Sequence, residues 1–134
     1  MIRAIHLAAY PEIVKVSPGD KLKVFIEFDY QGRKYRETLY AALWKGYIFG
    51  HPDETASASR GIDIPACPEP STISGDDVYV TITIPNRPGE IFGLYVKVGP
   101  IECKPADRYA DCVEIIGVPA PVITGVRVAR YERL

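Results

Sequence analysis

Methionine and tryptophan occur once each, histidine twice and cysteine three times in a chain of 134 residues. With only His6 and His51 available, general bases and imidazole ligands are scarce, which weighs against most enzyme mechanisms and against a histidine-built metal site. Three cysteines without a C-x-x-C spacing cannot all pair within one chain, so a dense disulfide scaffold and a zinc knuckle both fit poorly. No glycine-rich phosphate loop opens a helix, and neither histidine lies near a Gly-flanked nucleophile elbow, so nucleotide and acyl-transfer chemistry have no motif to stand on. Positive charge is also lacking: 16 Lys and Arg against 17 Asp and Glu leave a net charge of −1, too little to hold nucleic acid by counterion release. No apolar run approaches the length of a membrane span, and the N-terminal residues show no cleavable leader. The expectation is a protein that acts where it is made or leaves by another route.

What the chain does hold is 47% hydrophobic residues, 11 Gly, 12 Pro and 9 Tyr. That suits one domain of many short strands joined by turns. Strict alternation marks the clearest strand: Leu22, Val24, Ile26, Phe28 and Tyr30 face one way, Lys21, Lys23, Glu27 and Asp29 the other. Val78, Val80, Ile82 and Ile84 repeat the pattern until Pro85 removes a ladder donor, and Phe92, Leu94, Val96 and Val98 repeat it again. Between these two runs the turn residues 85–89 predict a hairpin. The turn Ser17-Pro18-Gly19-Asp20 predicts a strand from Glu12 to Val16. Arg33 to Trp44 is expected to run back beside the strand ending at Tyr30. Leu39, Ala42 and Leu43 would also suit a helix face, but the crowding of β-favouring aromatics selects strand. Glu54 to Ile64 reads as a polar edge strand ending in the proline-rich loop 65–70, and Cys112 to Gly117 as a last core strand. The expected core is Leu22, Val24, Ile26, Phe28, Val80, Ile82, Leu94 and Val96. The fold class expected is all-β: an immunoglobulin-like Greek-key β-sandwich of about seven strands over residues 1–118, followed by an extended C-terminal arm over 119–134. A small barrel is the alternative.

Three strings then carry a resemblance: Val-Ser-Pro-Gly-Asp at 16–20, Tyr40-Ala41-Ala42-Leu43-Trp44, and Val-Thr-Ile-Thr-Ile-Pro-Asn-Arg-Pro-Gly-Glu at 80–90 leading into Gly93-Leu94-Tyr95-Val96-Lys97-Val98. Over about residues 12–117 the chain resembles bacterial and archaeal immunoglobulin-like modules of the cell-adhesion-related (CARDB-like) sort, also seen in phage particle proteins. The resemblance implies spacer, adhesive or particle-decorating roles and brings no catalytic residues, no metal and no cofactor. Family members usually sit in tandem within long secreted chains, and this chain departs from that as a single module with an arm.

The remaining constellations have competing readings. His51-Pro52-Asp53-Glu54 could begin a metal or acid–base site, but one histidine without a spaced partner suits a solvated loop better. Asp76-Asp77 could ligate calcium, yet turn-forming acids before a strand explain it without one. Tyr35, Tyr40, Trp44, Tyr47, Phe49, Tyr79 and Tyr95 could stack on sugar rings if coplanar and exposed, or simply cover the sandwich. Cys103 and Cys112 flank the excursion 104–111 and are expected to form a disulfide, leaving Cys67 free or paired with another chain. Alternating Val122, Thr124, Val126 and Val128, with Ile123, Arg127 and Tyr131 opposite, make the arm a segment suited to adding a strand to a neighbouring subunit. Arg127, Arg130 and Arg133 beside Tyr131 could touch nucleic acid or an acidic partner, and the competing reading of the arm is an extra strand folded back on its own sandwich. The function expected is that of a non-enzymatic structural subunit of a virion or surface assembly, with protein subunits as partners. A carbohydrate-binding module is the alternative.

Overall fold

The computed structural model describes residues 2–7, 13–103, 109–117 and 123–134. Among these residues the fold is all-β, with no helix and ten strands: β1 (Ile2–Leu7), β2 (Val14–Val16), β3 (Lys21–Gly32), β4 (Tyr35–Ile48), β5 (His51–Ile64), β6 (Cys67–Ile73), β7 (Tyr79–Thr83), β8 (Ile91–Val98), β9 (Ile101–Cys103) and β10 (Val113–Ile115). Three of them, β2, β9 and β10, have only three residues each, which is why about seven were expected from periodicity.

β3 is the spine of the first sheet. Lys21 to Phe25 pair with β7 and Phe28 to Gly32 with β6, while β1 runs along the opposite flank from Leu7↔Ile26 to Ile2↔Tyr30. Thus β6 and β7 form one interrupted strand, and at the break the Ile26 N–H donates to the Val78 carbonyl at 3.0 Å. The second sheet has the order β2-β10-β8-β4-β5, with β9 beside β8. Its largest part is the β4–β5 hairpin, in register from Tyr35↔Ile64 to Ile48↔His51. β4 pairs with β8 only from Leu39↔Val98 to Trp44↔Gly93, so the hairpin continues past the end of that ladder.

The sheets bury the inward phases of their strands against each other. Val24, Ile26, Phe28, Val80, Ile82 and Val96 are buried as expected, with Leu22 and Leu94 packed half-buried against them, while Lys23, Glu27 and Thr81 lie on the other face. Phe92, Leu39, Leu43, Ile64 and Ile115 complete a core in which each large side chain contributes about 1.5–3 kcal/mol.

Several connections differ from the sequence expectation. The expected hairpin between the runs 78–84 and 91–98 is a crossover: Ile84 bonds back to Gly19 and Asp20, whereas Glu90 bonds to Ile115 in the other sheet. Pro85 ends the first ladder, and the two inward faces meet across the core instead of lying side by side. The segment 33–44 is a strand, yet it does not run beside β3, whose flanks are occupied by β1, β6 and β7. Residues 67–70 of the expected proline loop belong to β6, a flanking strand on which prolines are tolerated. Neither β1 nor β9 was anticipated. β1 carries a register shift between Ile2 and Ala4 that breaks its period.

Candidate functional site: an exposed arm and an open sheet edge

Of the expected arm, residues 119–122, with Pro119, Pro121 and Val122, lie outside the described residues. From Ile123 to Leu134 the chain has no regular secondary structure and every residue is exposed. Ile123, Val126, Val128 and Tyr131 are 83%, 85%, 78% and 92% exposed, a density of solvated apolar surface unusual for a segment without a partner. The polar contacts seen in the arm are internal: Arg127 Nη1 donates to the Gly125 carbonyl at 3.1 Å, and Arg130 pairs with Glu132. Arg133 adds a further cation at the end.

Strand addition needs an edge with unpaired backbone groups. Among the described residues, β5 packs along β7 and β1 along β9, so each of these edges has a strand of the other sheet beside it. Arg60 Nη1 strengthens the first of these contacts by donating to the carbonyls of Asp77 and Tyr79. β6 pairs only with β3 and carries Pro68 and Pro70, which cannot extend a ladder. That leaves β2, which pairs only with β10 and in parallel. The Val14 N–H donates to the Cys112 carbonyl at 2.9 Å and the Val16 carbonyl accepts from Ile116 at 2.7 Å, so Lys15 turns its N–H to the open side. Ile13 and Val14 on this edge are 65% and 43% exposed. The two apolar residues at 13 and 14 were the sequence signal for this edge, hidden because they were counted only as part of a strand.

The aromatic residues do not form a platform. On β4 and β8, Tyr40 meets Tyr95 at 6.3 Å and 79°, and Trp44 meets Tyr47 at 5.5 Å and 76°. These are edge-on contacts, and Tyr95 is buried. The Tyr40 hydroxyl donates to Glu54 Oε2 at 2.8 Å. Burial, then this carboxylate, raises the Tyr40 pKa above its ordinary value, and burial followed by Glu102 does the same for Tyr95. Tyr79 lies beneath Lys23 Nζ at 4.3 Å and the Arg60 guanidinium at 4.6 Å, so its ring is covered by cations. Three coplanar exposed rings, the arrangement that would favour sugar stacking, are not present among the described residues.

His51 is exposed, and Glu54 is engaged by Tyr40 instead of completing a cluster with it. Asp76 and Asp77 sit on an exposed turn, where the Asp77 carbonyl holds Arg60. Among the described residues no group of three or more His, Cys, Asp or Glu is placed to hold a metal ion. Glu90 joins Lys45 and Arg87, and its hydrogen bond from Lys45 leads in holding its carboxyl below the usual range. Cys112 is buried as a thiol that donates to the Tyr109 carbonyl at 3.2 Å, while Cys67 is buried and Cys103 half-buried. No helix of the described residues is long and apolar enough to cross a membrane. Comparisons with protein-family models, curated proteins and solved structures find no match to this chain.

Proposed function

We propose that the chain is a non-enzymatic structural subunit, an immunoglobulin-like Greek-key module that builds or decorates a larger assembly such as a virion or surface filament, with its C-terminal arm adding a strand to a neighbouring subunit. The observation that carries this is the arm itself: twelve residues, 123–134, all exposed, with Val126 and Val128 on one β-phase. Left in water, such a segment has its backbone hydrated but keeps its apolar side chains exposed. Paired to an edge, its main chain supplies affinity and its alternate side chains supply specificity. The open side of β2, flanked by exposed Ile13 and Val14, is the acceptor that fits.

A peptide spanning 123–134, added in excess, is expected to compete with the intact arm and dissolve assemblies of the full chain. Lys15→Pro removes a donor from the open side of β2 while sparing the ladder to β10, and is expected to abolish peptide binding without lowering the melting temperature. Assemblies indifferent both to the peptide and to Val126→Asp with Val128→Asp would overturn the proposal.

A further inference from the structure

A second feature, independent of the arm, stands at the free end of the β4–β5 hairpin. Ile48 pairs with His51, so Phe49 and Gly50 form a two-residue loop, with φ of +51° and +79°. Two positive values identify a type I′ turn, whose first position suits Asn or Gly. Phe49 is instead a bulky residue in the left-handed region, where such residues are genuine outliers, and its ring is 97% exposed. Tyr47, three residues past the last pair of β4 with β8, is 49% exposed beside it. A ring left in water returns nothing for the conformational cost of holding it there, whereas an aromatic anchor seated in a partner's pocket returns a great deal.

The opposite end of the same hairpin offers a pocket. A cavity of about 450 Å³ opens between the β3–β4 turn, the start of β1 and the β8–β9 turn. Ile2, Tyr30, Tyr35, Pro100 and Ile101 give it an apolar lining, with Arg33 at its mouth. Its wall is built closely. Gly99 has φ of +55°, the left-handed region that favours glycine, and a Cβ there would stand 2.5 Å from a Glu37 carboxylate oxygen, which would have to shift. Glu37 also lines the cavity, and its Oε1 accepts from the Thr38 N–H at 2.9 Å. Arg33 lines the cavity and Lys34 follows it in the β3–β4 turn; among the described residues neither forms an ion pair, and neither does Asp53 near the hairpin tip. Arg33 and Lys34 together outweigh Glu37, the one carboxylate in the lining, so the net charge beside the cavity is opposite in sign to that of Asp53 near the tip.

We propose that the aromatic tip of one copy, with Phe49 as anchor, seats in this cavity of a second copy. Tip and cavity lie at opposite ends of a fourteen-residue strand, on the order of 45 Å apart. The contact is therefore head-to-tail, and it propagates into a ring or a filament. It needs no residue of the arm.

Incorporation of benzoylphenylalanine at position 49 of the full chain tests this directly. Irradiation is expected to give adducts between chains that map to Ile2, Tyr35 or Ile101. Added to the arm variant Val126→Asp with Val128→Asp, Phe49→Asn, which suits the turn and should fold, is expected to weaken the remaining self-association at least about tenfold. Ile101→Arg, or Tyr35→Ala should the arginine prevent folding, blocks the cavity and should do the same. Mixing the tip variant with a cavity variant leaves one intact tip and one intact cavity, so a heterodimer is expected and no larger species through this contact. Adducts mapping elsewhere, to lipid or to an unrelated protein, or none at all, would overturn the proposal. So would undiminished self-association when Phe49→Asn is added to that arm variant.

Discussion

Cys112 is buried with its thiol donating to the Tyr109 carbonyl, and burial pushes it up to about 11. The thiolate is the reactive form, so alkylation near pH 8 is expected to run on the order of a hundredfold slower in the folded chain than after unfolding. Mass spectrometry of timed iodoacetamide reactions checks this. Because the folded pKa is raised, the stabilising contribution of the neutral thiol is fully present below the unfolded pKa. It is lost as pH rises from there toward about 11. Melting temperatures should fall over that interval by less in Cys112→Ala than in the parent chain. The Cys103–Cys112 bridge is a proposal for oxidised protein, since forming it requires Cys112 to leave the Tyr109 carbonyl. Peptide mapping without reductant checks it. Trp44 gives a second prediction at this scale, because its buried Nε1–H has no hydrogen-bond partner among the described residues. Trp44→Phe removes that orphan donor along with some apolar area, so the net cost is expected to be below about 1 kcal/mol. Urea unfolding measures it, and a loss above about 2 kcal/mol would mean that the donor is satisfied.

Elements with a clean period of two were legible, and those without one were not. β3 and β7 show their inward faces in the order of their residues, because each is covered mainly on one side, and β8 shows the same alternation although Gly93 and Tyr95 on its other face are buried too. β1 escaped because a bulge shifts its register, and β6 because Pro68 and Pro70 read as loop although a flanking strand can carry them. The hairpin tip was visible only as an aromatic run. Its turn type depends on positive φ at Phe49, which a Phe-Gly pair does not announce. Phe49→Asn is therefore expected to stabilise the monomer by about 0.5–1 kcal/mol, even as it removes the exposed ring. Thermal denaturation at low protein concentration would show the gain, and a decrease would mean that the ring packs against its own chain. The arm was legible as alternation without a fold partner, whereas its acceptor edge was not. An open edge is defined by which strands fail to cover it, and that is a property of topology.

At the scale of the whole molecule, local pattern does not choose the partner of a strand. The crossover from β7 to β8 and the departure of β4 from β3 both follow from flanks already occupied, a constraint distributed over the complete chain. The same topology sets a strand beside each of two flanks of the sandwich and leaves β2 paired on one side only among the described residues. An arm exposed from 123 to 134 and an open edge lie on one molecule, and the proposed function makes them the two halves of an assembly contact. Sedimentation velocity of the full-length Phe49→Asn chain, which leaves the arm as the contact under test, beside the same variant ending at Pro121, each with its melting curve, tests this most directly. The account predicts concentration-dependent species larger than a monomer for the full chain, their loss on truncation, and melting temperatures that agree within about 2 °C, because the arm buries nothing in its own fold. A truncated chain that melts far lower while associating as before would contradict it.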